Sequence, residues 1–165
     1  MISCSKLDDG SEAPHDECFF AALADNGALF MWGDNSRFQL GNGSCERKLV
    51  PTPVLGVLAD MAVQAVSCGE EHVLALTAQG SVFAWGCGSE GQLGVGEDEE
   101  KVIVPTLVEG VLRGKKITKI KAGNTHSLAL SDDGKVYIWG NQKWEPDAVS
   151  VKGALPSARV IDLAC

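Results

Sequence analysis

Cys68-Gly-Glu-Glu-His-Val-Leu-Ala-Leu-Thr-Ala-Gln-Gly-Ser-Val-Phe-Ala-Trp-Gly-Cys-Gly-Ser-Glu-Gly-Gln-Leu-Gly-Val-Gly96 holds two short apolar runs on either side of a glycine turn. Val73, Ala75 and Thr77 alternate with Leu74 and Leu76, which predicts a short strand running into a turn at Gly80. Val82 to Trp85 predicts the returning strand, and Gly86 breaks it. A connection this short joins only strands that run antiparallel.

The same pattern lies on both sides. Cys18-Phe-Phe-Ala-Ala-Leu-Ala-Asp-Asn-Gly-Ala-Leu-Phe-Met-Trp-Gly33 precedes it, and Thr125-His-Ser-Leu-Ala-Leu-Ser-Asp-Asp-Gly-Lys-Val-Tyr-Ile-Trp-Gly140 follows it. Trp32, Trp85 and Trp139 lie 53 and 54 residues apart, and Gly27, Gly80 and Gly134 keep the same intervals. Asn26-Gly27 and Asp133-Gly134 have hairpin-turn chemistry, because glycine reaches positive φ without a steric cost. An apolar strand is predicted ahead of each hairpin: Val63 to Ser67, Ile117 to Lys121, and lastly Val160 to Ala164. Pro51 to Val54, Pro105 to Val108 and Pro146 to Val149 recur behind the hairpins. Their prolines suit an edge strand, where a missing backbone donor costs least.

Four short antiparallel strands per unit, with no 3.6-residue period anywhere, predict an all-β fold. The expected architecture is a β-propeller of four-stranded antiparallel blades, with three near-complete repeats of about 53–54 residues. A polar head covers 1–17 and the partial propeller 18–165, with units at about 18–62, 63–116 and 117–159 and the start of a fourth at 160–165.

The run from Cys68 to Gly96 resembles a near-consensus repeat of the regulator-of-chromosome-condensation family, and the resemblance extends over 18–165. It implies a seven-bladed propeller, of which this chain supplies somewhat less than half. Family propellers close with a strand borrowed from the other end of the chain, which the offset of one strand here resembles. The family includes a guanine-nucleotide exchange factor for the small GTPase Ran, in which the turn between the first two strands of each repeat faces the GTPase. Carried over, this implies Glu70 and Glu71, Asn124 and Thr125, and Asp16 and Glu17 as partner-binding candidates. An acidic loop would compete for a Mg²⁺-phosphate environment or meet a basic surface, while solubility of a glycine-bounded turn accounts for it equally well. The implied function is a protein–protein interaction scaffold presenting blade loops to a partner. The alternative is guanine-nucleotide exchange on a Ran-like small GTPase, a non-covalent activity; no covalent enzyme chemistry is expected.

Three departures from the repeat stand out. Residues 8–17 are mostly polar, so unit one lacks a predicted opening strand. Trp139 to Pro146 spans 7 residues, against 19 from Trp32 to Pro51 and 20 from Trp85 to Pro105. The piece missing from unit three holds Phe38-Gln-Leu-Gly41 in unit one and Gly91-Gln-Leu-Gly94 in unit two. Lys143-Trp144-Glu145 occupies the shortened connection, where Trp144 either plugs a neighbouring blade or serves as an exposed contact. Three units leave two apolar flanks, so either a longer protein or self-association has to complete the ring.

The remaining signals are exclusions. A net charge of -8 argues against nucleic acid, which needs clustered Lys and Arg. Arg113, Lys115, Lys116, Lys119 and Lys121 form the one basic run, and a solvated face explains it. No apolar stretch reaches membrane-spanning length and no leader precedes the repeats, which points to an intracellular protein, cytoplasmic or nuclear. Six scattered cysteines without a CxxC pair read as free thiols in a reducing compartment. Gly86-Cys-Gly-Ser-Glu-Gly91 matches a dinucleotide fingerprint, but no helix follows to receive a pyrophosphate. His72 and His126 occupy one repeat position, which unit one fills with Phe19, so they read as structural hydrogen-bonding residues and not as acid–base groups. Neither a metal nor a cofactor is called for.

Overall fold

Gly80 closes the central hairpin as its sequence requires. Its φ is 88°, its N–H donates to the carbonyl of Thr77 at 2.9 Å, and Thr77 N–H reaches Ser81 O at 2.9 Å. Gly27 and Gly134 repeat the turn with φ of 84° and 82°. In the computed structural model, residues 2–4, 18–96, 100–141, 143–149 and 160–165 are described.

Twelve strands form three four-stranded antiparallel sheets among these residues. The first holds β1 (Ile2–Cys4), β2 (Phe19–Leu23), β3 (Leu29–Gly33) and β4 (Lys48–Pro53). The second holds β5 (Val63–Cys68), β6 (His72–Thr77), β7 (Val82–Cys87) and β8 (Lys101–Leu107). The third holds β9 (Ile117–Ala122), β10 (His126–Ser131), β11 (Val136–Gly140) and β12 (Lys143–Val149). Each sheet is a meander, so the prolines at 51, 53, 105 and 146 all sit on edge strands. No described helix is long and apolar enough to cross a membrane.

Consecutive sheets stack as blades and are tied by the backbone. Val63 N–H donates to Gly27 O at 3.1 Å, and Ile117 N–H donates to Gly80 O at 3.0 Å. Gly27 and Gly80 thus hand their carbonyls to the first residue of the next blade. Burial follows from this stacking. Every residue of β6 and β7 is buried, while β2 and β10 mix buried and half-buried residues. The middle blade has a neighbour on both faces, and so its two central strands are buried along their whole length.

Three expectations need correction. Unit one does have an opening strand: β1 pairs with β2, placing Ile2 opposite Ala22 and Cys4 opposite Phe20. Its three residues precede the polar segment and are too few to show a period. Second, Lys143–Glu145 is no loop. Gly140 pairs with Lys143, so residues 141 and 142 alone join β11 to β12 and Trp144 lies on a strand. Asn141 makes this sharp reversal at a φ of 49°. Third, residues 160–165 form no strand. No fourth hairpin is present among the described residues to pair with them.

Candidate functional site

The meander puts the turns between first and second strands at the same end of the blades as the connections between third and fourth strands. At this end lie Gly69–Glu71, residues 123–125, and the described parts of the connections, 34–47, 88–96 and Asn141. Glu70 and Glu71 share the β5–β6 turn, and Asn124 and Thr125 share the β9–β10 turn, as the sequence predicts. The two turns are neighbours, with the backbone of Gly69 against the carbonyl of Gly123. Asp16 and Glu17 lie outside the described residues.

Recurrent backbone bonds fix these turns. Cys87 N–H donates to Glu71 O at 2.8 Å, Asn141 N–H to Thr125 O at 3.0 Å, and Asp34 N–H to Cys18 O at 2.9 Å. Cys18, and not Glu17, is therefore the unit-one equivalent of Glu71. Arg37 Nε, from the unit-one connection, meets Glu71 Oε1 at 3.0 Å across the joint between blades. Both side chains are partly exposed, so the pair adds at most ~1 kcal/mol to stability. Glu70 carries no ion-pair partner among the described residues. Thr125 Oγ1 donates to Asn141 Oδ1 at 2.7 Å, which orients both groups at the mouth of the third blade.

Beneath this polar surface, a repeated wedge locks one blade to the next. Phe38-Gln-Leu-Gly41 of unit one inserts against Trp85, whose indole N–H donates to Gln39 O at 2.7 Å. A Cβ on Gly41 would stand 2.8 Å from Trp85 Nε1, so the ring demands glycine there. Gly94 approaches Trp139 as closely, at 2.7 Å. Asn35 stiffens the unit-one wedge from a fully buried position. Its amide donates to Ser44 O and Glu46 O at 2.8 and 3.1 Å, and its Oδ1 accepts from Leu40 N–H at 2.9 Å.

The second joint is wired differently. The Ser127 hydroxyl donates to Gln92 O at 2.8 Å, and its oxygen lies 2.9 Å from His72 Nε2. With the one hydroxyl proton committed to Gln92, His72 Nε2 must carry the hydrogen and donate. Burial, with His126 nearby, holds the His72 imidazole down to about 3 from its usual 6.5. His72 Nδ1 and Trp139 Nε1 are buried without a partner among the described residues. His72 is thus a buried neutral donor between blades, in keeping with its structural reading. His126 stands only half-buried beside Gly123. Sequence reasoning noted the Gln-Leu-Gly segment through its absence from unit three but gave it no task. It missed Arg37 and Ser127, whose types vary among the units. The signal for the wedge is the interval of 7 residues shared by Trp32 to Gln39 and Trp85 to Gln92.

No group of three or more His, Cys, Asp or Glu side chains able to hold a metal occurs among the described residues. The geometry offers a stiff, mostly polar loop end set on interlocked blades.

Comparison with known proteins places this arrangement. The family model described as the regulator of chromosome condensation (RCC1) repeat matches residues 26–76 and 79–130, and a second model of that description matches 63–92. The probable E3 ubiquitin-protein ligase HERC6 of Homo sapiens is 46% identical over 118 residues, covering 72% of this chain and 11% of that protein. The E3 ubiquitin-protein ligase HERC2 of Homo sapiens is 35% identical over 154 residues, covering 87% of this chain and 3% of that protein. Mitochondrial RUG3 of Arabidopsis thaliana, an RCC1 domain-containing protein, is 40% identical over 125 residues, covering 76% and 27%. The chain therefore spans a small part of each relative's length. Among solved structures, human WBSCR16 superimposes with a TM-score of 0.74 at 26% identity, over 80% of this chain and 35% of that one. Prp20p of Saccharomyces cerevisiae gives 0.72 at 20% identity, over 82% and 37%, a likeness of fold.

Proposed function

The chain belongs to the regulator-of-chromosome-condensation (RCC1) repeat family, and from that premise we propose that it serves as a protein-recognition scaffold whose loop end docks a partner. The observation that carries this is the loop end itself, where charged and polar groups from all three blades are held by backbone bonds and a buried wedge. A surface organised before binding loses little conformational entropy when a partner arrives. Among family relatives, the Prp20p structure is described together with binding to Gsp1p and histones, which supports a protein partner. The HERC relatives are ligases, and in such a protein this segment would select the partner while the ligase chemistry lies elsewhere. Cysteines 18, 45, 68, 87 and 165 form no disulfide with one another, which suits a reducing cytoplasmic or nuclear setting.

Nucleotide exchange on a Ran-like small GTPase is the second reading, favoured by the unpaired Glu70 carboxylate at the loop end. Site-specific photo-crosslinkers at position 70 and at the outer-edge position 49 test the docking surface. Position 70 is expected to trap a discrete partner and position 49 none; the reverse would move recognition to the outer edge and end the loop-end reading. Double substitution Arg37→Ala and Glu71→Ala should weaken capture by roughly tenfold with a near-unchanged melting temperature, since exposed pairs stabilise little. For the exchange reading, a Ran-type GTPase loaded with fluorescent nucleotide should release it faster with the chain, and slower again with Glu70→Ala. An unassisted rate in both cases removes exchange and leaves the scaffold.

A further inference from the structure

The opposite end of the blades carries a groove of about 320 Å³, between the β6–β7 turn and the connection from β8 to β9. Gln79 and Ser81 line it from the turn, Arg113, Lys115 and Lys116 from the connection, and Leu107 adds an exposed apolar side chain above the buried Val108 and Leu112. All three cations are exposed, and none has an ion-pair partner among the described residues. Glu109 is the one acid in the lining.

The fold does not require these charges. The same connection in unit one reads Gly56-Val-Leu-Ala-Asp-Met-Ala62, against Gly110-Val-Leu-Arg-Gly-Lys-Lys116 in unit two. Both begin with a 3₁₀ turn, Gly56–Leu58 and Gly110–Leu112, and both lead into the first strand of the next blade. Ala59, Met61 and Ala62 thus perform the structural task that Arg113, Lys115 and Lys116 perform. The backbone diverges at the same place. Gly114 has a φ of 72° with open space around it, whereas Asp60 shows no positive φ. Ala59 is helical (φ -60°, ψ -35°), but Arg113 is extended at ψ 124°. Charge and path depart from the repeat together, and the groove opens where they do.

We propose that this groove docks an acidic, extended segment of a partner protein, with Asp or Glu residues flanking one apolar side chain. The carboxylates meet Arg113, Lys115 and Lys116, and the apolar residue packs on Leu107, the lining side chain left 40% exposed. Guanidinium and ammonium groups at a groove wall bind carboxylates through charge-assisted hydrogen bonds. The chain's net charge of -8 repels acidic partners at long range, so attraction has to come from these three local cations. The site lies at the far end from Glu70 and stands independently of the loop-end reading.

Fluorescence polarisation of a labelled ten-residue Asp/Glu peptide with one central Leu tests this on the full chain. Its Asn/Gln analogue and a single-stranded DNA oligomer serve as competitors. Binding that weakens with salt is expected for the acidic peptide alone. The triple variant Arg113→Ala, Lys115→Met, Lys116→Ala adopts the side chains of unit one while keeping Gly114, and should lose on the order of tenfold in affinity at an unchanged melting temperature. Glu70→Ala should leave peptide binding intact, which separates this site from the loop end. Equal binding of the neutral analogue, undiminished binding by the triple variant, or stronger binding of the DNA would each overturn the proposal.

Discussion

Trp85→Ala is expected to lower the stability of the chain by about 3–5 kcal/mol, the usual cost of emptying a buried tryptophan site. For a domain of this size that corresponds to a fall of roughly 10 °C in melting temperature. Trp85 is fully buried at the joint of the first two blades, with Gly41 against its ring and the carbonyl of Gln39 accepting from its N–H. Truncation opens a cavity and strands a buried acceptor. Trp32 is the contrast, because it holds the same repeat position with no wedge packed upon it among the described residues. It is half-buried and stacks on Phe20 with ring centroids 5.6 Å apart. Trp32→Ala should therefore cost clearly less.

Phenylalanine substitutions sharpen the test. Trp85→Phe leaves Gln39 O unsatisfied at a cost of about 1–3 kcal/mol. Trp139→Phe removes an N–H that has no partner, and its cost is limited to lost volume. Urea denaturation of the four variants checks the order. Equal losses at Trp32 and Trp85 would show that the wedge does not carry the stability of the joint.

The sequence made the blades legible because the information defining a blade is local. A hairpin is specified by a glycine turn and two flanking apolar runs, and both recur at a fixed interval. What it concealed came from contacts between units. The strand Ile2–Cys4 is identifiable only through its pairing with Phe20–Ala22, since three residues carry no pattern of their own. The shortened connection suggests a loop at Trp144, yet the edge strand starts earlier and takes it in. Arg37 and Glu71 lie far apart in sequence and in different repeats, and nothing local links them. Glu70, Asn124 and Thr125 lie at the loop end because the turn between the first two strands has a fixed position in every unit. The groove beside Arg113 became visible only when unit one supplied a reference for what the connection needs.

His72 sets an acid limit on stability. Its folded-state pKa is depressed to about 3 from 6.5, because a fully buried imidazole is costly to charge. A group depressed in this way contributes stability that is complete above the unfolded value and is lost as pH falls from about 6.5 toward 3. Each pH unit within that window removes about 1.4 kcal/mol, so lowering pH from 7 to 5 should cost about 2 kcal/mol. The structural cause is specific. Nε2 already donates to Ser127, and a second proton would fall on Nδ1, which is enclosed beside Gly69 and has no acceptor. The Asp162 carboxyl, held low by Lys119, remains ionised through this window and adds nothing to the slope. His72→Phe supplies the check, since Phe19 fills the same position in unit one at full burial. The variant should lose the hydrogen bond to Ser127 at every pH, yet show nearly flat stability between pH 7 and 5. Persistence of the full slope in that variant would assign the acid sensitivity to another group and remove His72 from the account of the second joint.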